Sequence, residues 1–361
     1  MQTASISVRN LSRTFGTVKA LNDVNFDIAD GEFCVILGAS GSGKTTLLNL
    51  LAGLDKQTTG DVLIDGKVVN DKDPKSRGIA MVFQDYALYP HMTVYGNMAF
   101  PLKMARMQKN VIDSKVKNVA SQLSIEQLLQ RKPRELSGGQ AQRVAVGRAL
   151  VRDPSVFLMD EPLSNLDAKI RSQVRTDLKV LHRELKKTFV YVTHDQQEAM
   201  SLSDKIILID NGSVSQIGSP LDVYNSPANM TVATFLGDPP TNIFKAHAEK
   251  GVFISDLSPL KIATDRERIK IGIRPEAFQL EGGPNCAYAD LSVITVESFG
   301  SHMIVTCETE SKAAVKIRIS NRPFKENRLR VYVQPPFMHL FDDSDGKRLL
   351  DVDITPAAAP R

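Results

Sequence analysis

The chain has 361 residues, a length that allows about two domains of ordinary size. Hydrophobic residues make up 42% and charged residues 24%, which excludes a disordered or fibrous chain. A set of 45 Lys and Arg against 41 Asp and Glu leaves a net charge of +4, too small a surplus to argue for nucleic acid. No apolar run approaches the roughly 20 residues that a membrane-spanning helix needs. The opening stretch MQTASISVRN lacks the apolar core of a signal peptide, so a cytosolic location is expected. Cys34, Cys286 and Cys307 are odd in number and far apart, which favours free thiols and offers no metal-site spacing. There is no tryptophan.

The first clear element is Phe33–Leu37, short, continuous and β-prone, as expected of a strand buried on both faces. It runs into Gly38-Ala39-Ser40-Gly41-Ser42-Gly43-Lys44-Thr45, which fits G-x-x-x-x-G-K-[ST]. The apolar run Leu47, Leu48, Leu50 and Leu51 then reads as a helix. Strand, glycine loop and helix together predict a phosphate cradle. Glycines let successive N–H groups turn inward, and the helix N-terminus adds a positive dipole end. Lys44 would reach the β- and γ-phosphates, and the Thr45 hydroxyl would hold Mg²⁺.

Ile112, Val116, Val119 and Leu123 share one helical face. Leu136-Ser137-Gly138-Gly139-Gln140 precedes a helix over Ala141–Val151. Ser137 can simply cap that helix, but the same geometry offers N–H groups to an anion. Val156–Met159 reads as a buried strand delivering Asp160 at its carboxyl end, next to the phosphate loop of a doubly wound sheet. Asp160 suits a Mg²⁺ contact, and Glu161 is placed to polarise a water for in-line attack. The bland alternative is that the acidic pair caps the turn at Pro162.

Ile170, Val174, Leu178, Leu181 and Leu185 form a longer helical stripe, and Phe189–Thr193 and Ile206–Ile209 are two more strands. Alternating strands and helices predict an α/β domain. Asn211-Gly212 predicts a two-residue hairpin. Ser219-Pro220 opens a helix, and Gly237-Asp238-Pro239-Pro240 breaks any regular element, which places a domain boundary at Gly237. Beyond it the period becomes two: Ile269, Ile271, Ile273; Val315, Ile317, Ile319; Leu329, Val331, Val333. A small β-barrel or sandwich is expected, with a frayed tail over Pro356–Arg361.

In order along the chain, these motifs resemble those of the nucleotide-binding subunit of an ATP-binding cassette (ABC) transporter. Leu136–Gln140 matches the family signature, Gln84 the Q-loop, Leu163-Ser164-Asn165-Leu166-Asp167 the D-loop, and Thr193-His194-Asp195 the switch-histidine motif. The resemblance covers nearly the whole chain. It implies an α/β P-loop ATPase domain over 1–237 with a helical subdomain near 87–135. An OB-like, TOBE-type regulatory and dimerisation domain would follow over 238–361.

It also implies a head-to-tail homodimer that clasps ATP. Gly38, Ala39, Ser40, Gly41, Ser42, Gly43, Lys44, Thr45 and Thr46 of one subunit would hold the phosphates. Ser137, Gly138, Gly139, Gln140 and Asp167 would reach them in trans. Glu161, His194 and Gln84 would be catalytic, and Thr45, Gln84 and Asp160 would hold Mg²⁺. For adenine the family uses an aromatic platform upstream of the phosphate loop. Without tryptophan the candidate is Phe15, although it could instead pack in the core. One departure is Ala141, where the family usually has a large polar or basic residue; ATPase activity is expected to survive.

Phe83–Val94 and Asn97–Phe100 are similar to the maltose-type and glycerol-3-phosphate-type importer ATPases, with Tyr89 where polyamine, sulfate and iron importers more often have phenylalanine. Gly96 departs from the acidic residue often found before the asparagine. Gly272-Ile273-Arg274-Pro275-Glu276 and Val296–Ser301 resemble segments of the C-terminal domain of sugar-importer ATPases, with Ser298 where proline is common. The implied partners are two integral-membrane permease subunits docking near Ala87, Leu88, Tyr89 and Met92 and, indirectly, a periplasmic or lipid-anchored solute-binding protein. A regulatory protein on the C-terminal domain is a further expected partner, and nucleic acid is not. The implied place is the cytoplasmic face of the bacterial inner membrane. The cargo would be a sugar or sugar derivative, the alternative being a polyamine or inorganic anion.

Overall fold

The computed structural model describes residues 4–357. Residues 1–3 of the opening stretch and 358–361 of the tail lie outside them. The chain divides into two compact units, Met1–Leu221 and Asp222–Arg361.

In the first unit, β1 (Ala4–Phe15) and β2 (Val18–Ala29) form a long antiparallel hairpin. β3 (Phe33–Leu37) and α1 (Lys44–Ala52) follow. β4 (Thr59–Ile64) and β5 (Lys67–Val68) complete a first sheet, ordered β2-β1-β4-β5. Its inward residues, among them Val8, Leu11, Val24 and Phe26, pack in one core with Leu47, Leu48 and Leu51 of α1. Next come β6 (Ile79–Val82), α2 (Val94–Met104), α3 (Lys109–Gln122) and α4 (Gly138–Leu150). β7 (Val156–Asp160), α5 (Ala168–Leu185), β8 (Thr188–Thr193), α6 (Gln196–Leu202), β9 (Lys205–Asp210) and β10 (Ser213–Gly218) complete the unit.

The second sheet is ordered β10-β9-β3-β8-β7-β6. All its pairs are parallel except β9–β10. Every residue of β3 and β8 is buried, as the unbroken apolar runs required. Asn211 and Gly212 both take positive φ (46° and 76°), the geometry of a two-residue turn between β9 and β10. Within 87–135, α2 and α3 are followed by single helical turns at Glu126–Leu128 and Pro133–Glu135. Val116 and Ile112 lie on the buried face of α3. One expectation changes: β8 lies between β3 and β7, so the strand carrying Asp160 is not the neighbour of the phosphate-loop strand.

The second unit is all-antiparallel after two short helices, α7 (Pro220–Asn225, which straddles the division) and α8 (Met230–Phe235). A six-stranded sheet contains β11 (Asn242–Glu249), β12 (Val252–Ile254), β13 (Leu260–Ile262) and β14 (Arg268–Ile273). A four-stranded one contains β15 (Ala287–Ser298), β16 (His302–Glu308), β17 (Ala314–Ser320) and β18 (Arg328–Val333). β19 (Met338–Asp342) and β20 (Ile354–Pro356) take the edges of the larger sheet, in the order β19-β14-β11-β12-β13-β20. Ile269, Ile271, Val315, Ile317, Leu329 and Val331 all face one shared core, which is the OB-like unit expected. Leu260 pairs with Pro356, so ordered strand reaches into the tail expected to fray.

The boundary falls at Leu221/Asp222 rather than at Gly237. The helices of 222–237 are held by polar contacts inside the second unit. The buried Arg274 donates to the carbonyls of Tyr224 and Leu236, and the Thr241 hydroxyl donates to Ala233 O at 2.6 Å. The Met230 N–H donates to Gly346 O at 2.8 Å. Gly237-Asp238-Pro239-Pro240 therefore breaks a helix, not a domain.

Candidate active site

The parallel strands place the site. The loop after β3, Asp160 at the end of β7, Glu161 and His194 all emerge at their carboxyl ends, where ligands of such sheets bind. In the glycine loop, Gly43 has φ 104°, and a Cβ there would lie 2.6 Å from Ala20 O. At Gly38 a Cβ would meet Ile209 O at 2.3 Å. Only glycine lets the loop lie this close to the strands below it. The Lys44 ammonium is buried and folds back onto the loop, donating to Gly38 O at 2.9 Å and Ala39 O at 2.8 Å. Burial lowers its pKa, against the pull of Glu161 and Asp160. The buried Ser42 hydroxyl has no partner. An electron-rich phosphate fits this arrangement: it would give Ser42 the partner that the protein withholds and Lys44 an anionic acceptor in place of neutral carbonyls.

The cleft above the loop has a volume of about 530 Å³. Ser40, Gly41, Gly43, Lys44, Thr45 and Thr46 line it together with Glu161. Val18, Lys19 and Ala20 of β2 and the Asn211-Gly212 turn also line it, and the sequence reading missed these five. No motif marks them; they arrive by the chain's return past the loop, where Gly212 N–H donates to Ser42 O at 3.0 Å.

The Thr45 hydroxyl lies 3.5 Å from an Asp160 carboxylate oxygen, so two of the three expected Mg²⁺ ligands meet although β3 and β7 are not adjacent. Burial, aided by the Glu161 charge, pushes the Asp160 carboxyl up from its usual range. A divalent cation there would supply the charge that both oxygens lack. His194 Nδ1 is 3.0 Å from Glu161 Oε2. Glu161 holds a left-handed φ of 40°, and its N–H donates to Val192 O at 3.0 Å. A residue with a Cβ pays about 1 kcal/mol or more for that conformation, a strain found where the backbone must aim a side chain.

Gln84 is exposed, and its amide donates to Ser164 Oγ at 3.2 Å, away from the lining of the cleft. Phe15 is 46% exposed at the tip of the β1–β2 hairpin, which excludes a core role. The Arg13 guanidinium sits 4.2 Å from its ring centroid. Ser137 caps α4, and its N–H donates to Gln140 Oε1 at 3.0 Å. A Cβ at Gly138 would meet Leu166 at 2.6 Å, and one at Gly139 would meet Ile170 at 3.0 Å. Asp167 caps α5 through Ile170 N–H at 3.0 Å. Within one chain, none of Ser137–Gln140 or Asp167 lines the phosphate cleft. Ala141 N–H donates to Ser137 O at 2.9 Å, an ordinary first-turn bond.

A second groove, of about 610 Å³, lies beside α2. Phe83, Ala87, Tyr89, Phe100 and Met104 line it; Leu88 and Met92 do not. Asn97, fully buried, fixes the 89–93 turn by pairing with both Tyr89 N–H (2.8 Å) and Tyr89 O (3.1 Å). Arg148 holds the left-handed Tyr86-Ala87 pair through their carbonyls at 2.9 and 2.5 Å.

A family model described as ABC transporter matches residues 21–164, and one described as TOBE domain matches residues 271–341. The sn-glycerol-3-phosphate import ATP-binding protein UgpC of Chromobacterium violaceum is 44% identical over 359 residues, covering 96% of each chain. The Bordetella pertussis protein of the same name is 45% identical over 364 residues, covering 96% of this chain and 99% of that protein. Among solved structures, cbiO1 from Clostridium perfringens, part of the ABC transporter complex cbiONQ, matches with a TM-score of 0.58. Its identity is 30%, over 62% of this chain and 91% of that one. A dimeric ATP-binding cassette MJ0796 bound to ADP and Pi matches with a TM-score of 0.54 and 36% identity, over 60% of this chain and 98% of that one. The chain belongs to the ABC transporter family, as one of its ATP-binding, ATP-hydrolysing subunits.

Proposed function

We propose that this chain is the energy-coupling ATPase of a bacterial importer for a sugar or sugar derivative. Its similarity to proteins named for sn-glycerol 3-phosphate import, over 96% of its length, supports a phosphorylated polyol as the cargo class. The observation that carries the catalytic reading is the Glu161–His194 contact at 3.0 Å, at the rim of a cleft whose floor is the phosphate loop.

The glycine loop N–H groups and Lys44 bind the β- and γ-phosphates, and Phe15 stacks on adenine. Glu161 takes a proton from the attacking water, while His194 orients Glu161 and hydrogen-bonds the γ-phosphate. Thr45 and Asp160 would hold Mg²⁺, with Gln84 joining them once its side chain leaves Ser164, and the ion would supply charge neutralisation to the phosphates. Ser137–Gln140 and Asp167 complete the site from a second copy, so ATP favours the closed homodimer and hydrolysis releases it. Ser137, Gly138 and Asp167 are exposed and lie outside the lining of their own cleft, which supports that reading.

The apolar groove with Tyr89 and Phe100 receives a helix from each of two permease subunits. The chain would then sit peripherally on the inner face of the membrane; among the described residues no helix is long and apolar enough to cross it. The C-terminal β-unit serves dimerisation and regulation. Glu161→Gln is the test: it is expected to keep ATP affinity and lose hydrolysis by about 100-fold or more, in the range of a general base. Near-normal turnover would remove Glu161 from the role.

A further inference from the structure

Behind the Glu161–His194 pair lies a small cavity of about 70 Å³, lined by Glu161, Ser164, Arg171, His194 and Asp195 together with Thr193 and Glu198. Arg171, on the second turn of α5, belongs to none of the motifs. Its Nη2 donates to the carbonyl of Leu166 at 3.0 Å, and its Nη1 reaches Asp195 Oδ2 at 3.5 Å. Leu166 lies in the Leu163–Asp167 loop, and Asp195 directly follows His194. One guanidinium thus touches both loops.

The Asp195 carboxylate is divided between two tasks. Oδ1 caps α6 through the N–H groups of Gln197 (2.8 Å) and Glu198 (3.2 Å), while Oδ2 faces Arg171. The turn is anchored from below: Asp195 N–H donates to Thr193 Oγ1 at 2.9 Å, and the Thr193 hydroxyl donates to the buried Glu198 carboxylate at 2.7 Å. Anchored on that side, the turn meets Arg171 of α5 on the other. The Arg171–Asp195 contact is long, and Arg171 Nε is buried without a partner. The desolvation cost of that donor is already incurred, so a shift of the Asp195 turn toward α5 would be favourable.

We propose that Arg171 is a positioning residue for hydrolysis. It fastens the turn carrying His194 to the Leu163–Asp167 loop, so that the place of His194 beside Glu161 depends on where that loop lies. The inference rests on the reading of Glu161 and His194 above. It adds that a loop expected to face a second copy governs the catalytic pair through one side chain.

The test compares Arg171→Met, Arg171→Lys and Arg171→Ala in the purified full chain, with Glu161→Gln as reference. Steady-state ATPase activity and the affinity for a fluorescent ATP analogue are measured together. Arg171→Met is expected to lower kcat by about tenfold or more, with nucleotide affinity within about twofold of the parent. Arg171→Lys should recover part of kcat, and added guanidinium should restore part of the Arg171→Ala activity. A purely structural arginine would not give that chemical rescue. Parent-like kcat in Arg171→Met, with Glu161→Gln inert, overturns this inference alone. A parallel loss of nucleotide affinity and kcat, unrescued by guanidinium, also overturns it. Normal turnover in Glu161→Gln would overturn the underlying reading and this inference together.

Discussion

Arg274 stands in the Gly272-Ile273-Arg274-Pro275-Glu276 segment and holds the front of the second unit together. It is 6% exposed. Its guanidinium donates to Tyr224 O (2.5 and 3.2 Å), Leu236 O (2.6 Å) and Thr241 Oγ1 (3.2 Å), and lies 3.6 Å from the Tyr224 ring centroid. Arg274→Met keeps most of the volume and removes every donor. The buried Leu236 carbonyl and the part-buried Tyr224 carbonyl lose a charged partner, each worth about 1–3 kcal/mol, and the ring contact adds about 1 kcal/mol. Against this stands the released cost of burying a guanidinium, the same burial that lowers the Arg274 pKa. The net loss is about 3 kcal/mol, within the range for breaking a buried charged cluster. With a urea slope of about 2 kcal/mol per molar, the unfolding midpoint of the second unit falls by about 1.5 M. The chain has no tryptophan, so tyrosine fluorescence with far-UV circular dichroism follows the transition. A shift below about 0.3 M would refute the claim that Arg274 fastens residues 222–237 to the β-unit.

Two further outcomes follow from single side chains. Phe15→Ala should weaken ATP binding by about tenfold, the loss of one aromatic stack, while leaving inorganic triphosphate binding unchanged; equal losses would mean that Phe15 serves the fold rather than the base. His339 is buried, and burial, with the Arg348 and Arg274 charges, lowers its pKa from 6.5 to about 4. Its folded pKa lies below its unfolded value, so the stability it contributes is present above about pH 6.5 and is lost as pH falls toward 4, amounting to about 3 kcal/mol at the acid end. Urea melts of the parent and His339→Phe at pH 7.5 and 4.5 should show a smaller acid loss in the variant, and equal losses would contradict the assignment.

The parallel sheet was legible because β3, β7, β8 and β9 are unbroken apolar runs, a pattern that burial on both faces imposes. The first sheet was not. Between Val8 and Leu11 the β1–β2 register shifts, so the inward residues are spaced three apart and period two fails. The phosphate loop, Asp160 and Glu161 were readable from local spacing, since strand, loop and helix are contiguous. The order of β3, β8 and β7 was not, because strand adjacency depends on crossovers that leave no local trace. The same holds for Val18–Ala20 and Asn211-Gly212 beside the cleft, and for Arg171, whose two partners stand 5 and 24 residues away along the chain. Gly237 misled as a boundary because chain breakers mark the end of a helix, whereas the division of units is set by buried contacts such as those of Arg274.

In the proposed cycle ATP binds between two copies of this chain, and Glu161 ends that state by activating water. Light scattering on the purified Glu161→Gln chain, with ATP and Mg²⁺ or with ADP and Mg²⁺, tests it directly. The expected result is a stable dimer with ATP, dissociation with ADP, and negligible phosphate release over the same period. A Glu161→Gln chain with the same mass in ATP and ADP, or one releasing phosphate at the parent rate, would contradict it.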